Sequence, residues 1–176
     1  MKKIVGIIGN FKLPSTTYRV VEEITQQIAE RFNMEYTLYN LSDLGTSFPL
    51  AQGPNDLDAT AQNIIQELIS SDILVIGVPT YNAGFPGMFK HLFDLISPDS
   101  LIAKPVVLSA TGGSERHSLM LDYQLRPLFN YFKTLPTSTS IYVTSNDCIH
   151  TRPTAILQDR IEQTITELAH FIPSQI

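Results

Sequence analysis

Ile73-Leu74-Val75-Ile76-Gly77-Val78 runs directly into Pro79-Thr80-Tyr81-Asn82-Ala83-Gly84-Phe85-Pro86-Gly87. A run that is apolar at successive rather than alternating positions needs cover on both faces, as in a parallel sheet sandwiched between crossover helices. Outward from it, short β-branched runs recur at residues 3–9, 34–40, 105–110 and 140–143, each a predicted strand. Between them the apolar spacing turns helical. Val20, Val21, Ile24, Ile28 and Phe32 form one such face, and Ile64, Ile65, Leu68 and Ile69 the next. Further helices are predicted over 86–96, 118–135 and 154–171, the last beginning just after Pro153 and carrying Ile156, Ile161, Ile165 and Leu168. Five βα units with right-handed crossovers give an α/β, doubly wound, five-stranded parallel sheet. The common strand order for that arrangement is 2-1-3-4-5, with a ligand crevice at the carboxyl ends of strands one and three.

The 176 residues are 43% hydrophobic and 16% charged, enough for one domain, 1–176, with a substantial core. No apolar run reaches the roughly 18 residues of a membrane span, and Ile4-Val5-Gly6-Ile7-Ile8 is too short for a secretory leader. A single cysteine, Cys148, leaves no internal disulfide and no multi-thiolate zinc site, which fits a cytoplasmic protein. The net charge of -5 and the lack of a basic run speak against nucleic acid as a partner.

Three loops at predicted strand ends carry the chemistry. The first, Gly9-Asn10-Phe11-Lys12-Leu13-Pro14-Ser15-Thr16-Thr17, offers hydroxyls, an amide and a cation beside the unpaired amides of a helix start. That composition suits a phosphate, although Ser15 or Thr16 could equally serve as a plain helix cap. It lacks the Gly-Lys-Ser/Thr of a Walker loop and the G-x-G-x-x-G of a dinucleotide fold. The second, 79–87, has its path set by two prolines and two glycines and can bring backbone amides against a planar polar ring. An ordinary strand-to-helix turn with Tyr81 and Phe85 as packing residues is its plainer reading. The third, Ala110-Thr111-Gly112-Gly113-Ser114-Glu115-Arg116-His117, pairs glycines with hydroxyls, but Ser114 lacks the glycine frame of a nucleophile elbow. His117 suits either a ring-edge contact or a packing role. Lys90 and Asp94 have the spacing of a surface ion pair, Cys148 reads as a small packing group, and His91, His150 and His170 have no metal-site spacing.

Together these loops, with Lys90, His117, Asp122-Tyr123 and Leu125-Arg126-Pro127, resemble the NADPH-dependent FMN reductase family, a flavodoxin-like group. The likeness is greatest to the branch that supplies reduced flavin to sulfonate monooxygenases. It implies FMN as the bound flavin and NADPH or NADH as the hydride source. By the same resemblance, Asn10, Lys12, Ser15 and Thr17, with Thr16 beside them, hold the phosphate. Pro79, Thr80, Tyr81, Asn82 and Ala83 would lie along the isoalloxazine, and Thr111, Gly112, Gly113 and Ser114 at its pyrimidine edge, with His117 nearby. Asn10 stands where the family usually has Ser and Lys12 where it has Arg, which turns a bidentate clamp into a point charge. No protein acid, base or nucleophile is required, because the flavin carries the redox chemistry. The resemblance also implies a homodimer or homotetramer and a flavin-dependent monooxygenase as partner. Two other functions compete, an FMN-bound quinone, azo or chromate reductase and a flavodoxin-type electron carrier.

Pro127 breaks the predicted fourth helix, because it cannot donate to the carbonyl of Tyr123 and its ring crowds that oxygen. A π-bulge is one way to absorb the defect, and a plain kink with Tyr123 in the core is the other. By resemblance the aromatic at this position faces neighbouring subunits near the flavin.

Overall fold

The computed structural model describes residues 2–149 and 152–172; His150, the third of the histidines named above, lies outside them. Its strands β1 (Lys3–Ile8), β2 (Glu35–Asn40), β3 (Ile73–Pro79) and β4 (Pro105–Thr111) are parallel neighbours in the order β2-β1-β3-β4. The predicted fifth strand is split. β5 (Leu135–Pro136) pairs with Pro105 and Val106, while β6 (Ile141–Val143) pairs with Ser109 to Thr111 further along the same edge of β4. The doubly wound order 2-1-3-4-5 is therefore present with an interrupted last position. Buried Thr137, Thr139 and Ser140 make the interruption; Thr137 Oγ1 donates to Thr139 O at 3.0 Å, and other elements partner Thr139 and Ser140. Arg126 donates to Thr137 O at 2.8 Å and to Ser140 Oγ at 2.5 Å. A last pair of strands, β7 (Cys148–Ile149) and β8 (Arg152–Pro153), is antiparallel and separate from the main sheet.

Alternate residues of each central strand feed two cores. Val5, Ile7, Leu74, Ile76, Val106 and Leu108 pack under Phe89, Phe93 and Phe129. On the other face Ile4, Ile8, Ile73, Val75 and Val107 meet α1 (Thr16–Phe32) and α5 (Ala155–Leu168). All seven residues of β3 are buried, as the non-alternating run requires. Helix α1 approaches the sheet closely because Gly77 has no side chain; a Cβ there would lie 2.1 Å from Val21 Cγ2. α2 (Ala59–Ser70) is capped by Asp58, whose carboxylate takes the Ala61 N–H at 3.0 Å and is thereby held below its ordinary value. α3 (Gly87–Asp94) carries the Lys90–Asp94 surface pair.

The fourth helical segment differs most from the single helix predicted over 118–135. It is a 3-10 turn at Glu115–His117, a π-helical turn at Leu121–Leu125 and a short α4 (Arg126–Tyr131). The Arg126 N–H reaches back five residues to Leu121 O, so the chain takes up its extra residue just before Pro127. Tyr123 points outward and is 76% exposed, which rules out the core placement.

Candidate functional site

Ser15 adopts an extended conformation before α1, and its Oγ accepts the Tyr18 N–H at 3.1 Å. The hydroxyl is a helix cap, and its own proton is still available to donate. Thr16 and Thr17 then present first-turn amides with no intrahelical acceptor, at the positive end of the helix. The loop before them is held from below. Leu41 N–H donates to Asn10 O at 3.0 Å and Ser42 Oγ to Phe11 O at 2.6 Å. Asn10 is buried, and its Oδ1 has no hydrogen-bond partner. A primary amide that turns over can offer its nitrogen at the same place. Thr17 is also buried, but its hydroxyl is 2.7 Å from Thr111 Oγ1. Its side chain joins the first loop to the third, and its backbone amide is the group left for an anion.

The second loop leaves β3 with Thr80 N–H donating to Thr111 O at 2.7 Å. Tyr81 and Gly84 then exchange two backbone hydrogen bonds, 2.8 and 3.0 Å, around Asn82 at φ 49° and Ala83 at φ 69°. Two successive left-handed residues make a type I′ turn, at a cost of order 1–3 kcal/mol each for residues other than glycine. Gln124, on the π-helical turn, donates to Ala83 O at 3.2 Å and supports the strained backbone from outside. Asn10, Phe11 and Lys12 of the first loop face Tyr81, Asn82 and Phe85 of the second across a cleft of about 490 Å³.

In the third loop Gly112 N–H donates to Val143 O at 3.0 Å, and Ser114 Oγ caps the turn by accepting Arg116 N–H at 3.3 Å. Tyr142 donates its hydroxyl proton to Ser114 O at 3.1 Å. Gly113, Ser114 and Glu115 border a separate hollow of about 360 Å³ with Thr144 and Asn146. Thr16 also borders a cleft of about 510 Å³ between α1 and α5, with Val20, Leu157 and Ile161. His117 is half-buried at the end of its turn, outside the cleft shared by the first two loops. The three loops thus meet at the carboxyl ends of β1, β3 and β4 and are joined through Thr17, Thr80 and Thr111, but they line more than one depression.

Three contributors escape sequence reasoning: Tyr142, Gln124 and the Ser42 brace. Each acts from a segment whose local pattern carries no chemical signal; only proximity after folding reveals them. The groups with perturbed acidity lie outside the three loops, as with Tyr39, pushed up to about 12 by burial and the neighbouring Glu67 carboxylate. Among the described residues no cluster of three or more His, Cys, Asp or Glu side chains could hold a metal.

The donor chemistry of these loops suits an FMN phosphate and leaves room at the third loop. The orphaned amide of Asn10 and the open amides of α1 answer a phosphate, and a Cβ placed on Gly113 would meet nothing within 4 Å, leaving that side clear for a ring.

A family model described as "NADPH-dependent FMN reductase" matches residues 2–147. The chain is 34% identical to "FMN reductase (NADPH)" of Pseudomonas aeruginosa over 145 residues, 82% of this chain and 78% of that protein. It is 35% identical to "NADH-dependent FMN reductase SfnF" of Pseudomonas putida over 172 residues, 96% and 92% of the two chains. Among solved structures, an oxidoreductase from Corynebacterium diphtheriae superposes with a TM-score of 0.87 at 29% identity, covering 98% of this chain and 97% of the other.

Proposed function

The chain belongs to the NADPH-dependent FMN reductase family, and from that premise we propose how its own residues serve an NAD(P)H-dependent reduction of FMN. The observation that carries the reading is the meeting of the first two loops across one cleft, the first of them leading into the open amides of α1. Thr16 and Thr17 amides, the Ser15 hydroxyl, the Asn10 amide and the Lys12 ammonium hold the phosphate. Pro79 to Ala83 and Thr111 to Ser114 hold the ring, with Thr17 tying the two ends of the site together. FMN held there would supply the redox chemistry, as the acceptor of hydride from a nicotinamide. The protein orients and excludes water, and the exposed rings of Phe11 and Tyr81 flank the space where a second planar group enters.

Lys12 is exposed, as a point charge rather than a buried clamp, and this favours FMN that exchanges and leaves reduced for a partner monooxygenase. Leu119, just before the π-turn, Tyr123 within it and Tyr131 at the end of α4 are 60%, 76% and 67% exposed, and we assign them to contact with another copy of the chain. The single cysteine supports a reducing, cytoplasmic setting.

Fluorescence titration of the purified chain with FMN and riboflavin tests the reading. FMN is expected to bind at least tenfold more tightly, since its phosphate gains several charge-assisted bonds. Equal affinities remove the phosphate site.

A further inference from the structure

We propose that Tyr142 is the positioning residue that sets the spacing of the second and third loops, and through it the fit of the flavin ring. This rests on the FMN reading above. Tyr142 is the middle residue of β6, opposite Ala110 of β4, with its ring half-buried against the core. Its one hydroxyl proton goes to Ser114 O at 3.1 Å. Thr80 Oγ1 stands 3.5 Å away on the other side, so Thr80 is the donor in that contact. The result is a directed chain, Thr80 hydroxyl to Tyr142 hydroxyl to Ser114 carbonyl, crossing from one ring-binding loop to the other.

The same hydroxyl explains a glycine. A Cβ on Gly112 would lie 2.0 Å from Tyr142 Oη and 3.0 Å from its Cζ, whereas one on Gly113 would meet nothing. Gly112 is therefore small to admit the tyrosine, and Gly113 is the residue of the pair that faces open space. Thr80 N–H to Thr111 O at 2.7 Å and Gly112 N–H to Val143 O at 3.0 Å close the frame around this contact. Because the strut lies at the ring end of the site, its loss should affect FMN and riboflavin alike, unlike a change in the phosphate loop.

The test uses the full chain as Tyr142→Phe, Gly112→Ala and the double variant, titrated with FMN and riboflavin and compared in thermal melting and in the absorption band shape of bound flavin. Tyr142→Phe is expected to melt near the parent, to bind both flavins about five- to tenfold more weakly and to change the band shape. Gly112→Ala should bind more weakly still. Adding Tyr142→Phe to it should recover affinity, because removing Oη leaves Cζ, at 3.0 Å, as the nearest atom. Unchanged affinity in Tyr142→Phe, loss confined to FMN, or additive losses in the double variant overturns the proposal. If Tyr142→Phe does not fold, Thr80→Val cuts the other end of the chain and should weaken both flavins equally; unchanged binding there is equally decisive against it. Flavin binding by the parent with no effect of Tyr142→Phe removes this inference alone, whereas a parent that binds no flavin removes the FMN reading with it.

Discussion

At Ser15 one oxygen serves both readings that the sequence leaves open. It accepts the Tyr18 N–H, which caps α1, and its proton is free for a phosphate oxygen. Ser15→Ala should therefore lower stability by about 1 kcal/mol and weaken FMN by about 1–2 kcal/mol while leaving riboflavin unchanged. Parallel melting and titration separate the two effects, and a loss of stability with FMN affinity intact would leave Ser15 as a cap alone. Gly113→Val is expected to fold, because the added side chain meets open space, yet to lose flavin, because that space is the one proposed for the ring. Parent-like flavin affinity in the folded variant would move the ring elsewhere. The first loop was legible as a candidate phosphate site because hydroxyls, an amide and a lysine at a strand-to-helix junction form a local pattern. Tyr142 was not, since a tyrosine in a three-residue strand says nothing about which loop its hydroxyl will reach.

Among the elements, the strand runs and α1 could be read because burial on both faces and a 3.6-residue period leave marks along the chain itself. The break before Pro127 was also legible, since a missing N–H is a property of one residue. The split of the last strand was not. Thr137, Thr139 and Ser140 look like a polar turn, and their burial depends on Arg126, Arg160 and Glu167 arriving from other elements. Glu167 accepts Thr139 N–H at 2.8 Å and Thr139 Oγ1–H at 2.5 Å. Burial pushes its carboxyl up, but these donors outweigh burial and hold it below the ordinary 4.5. A carboxyl lowered in the folded state stabilises fully above the unfolded value and loses that contribution as pH falls through the folded one. Glu167→Gln should cost about 1 kcal/mol in urea unfolding at neutral pH, and the difference from the parent should shrink as pH falls below the ordinary carboxylate range. A difference that stays constant with pH would show that charge is not what Glu167 contributes.

The whole molecule carries a net charge of -5, and among the described residues no helix is long and apolar enough to cross a membrane. Exposed Tyr123 and Tyr131 lie on the π-turn and α4, the segment from which Gln124 touches the second loop. Subunit contact there would lie beside the ring site. Tyr123→Ala is expected to lower the mass seen by light scattering or to change the rate of flavin release, and no change in either would discard the segment as an interface. The central claim, that these loops form the site of an NAD(P)H-dependent FMN reductase, is tested most directly by steady-state NAD(P)H oxidation with free FMN, FAD, riboflavin and a quinone supplied in turn. Expected is turnover that depends on FMN and exceeds that with riboflavin. Oxidation with quinone but with no flavin, or no NAD(P)H oxidation under any of the four, would contradict it.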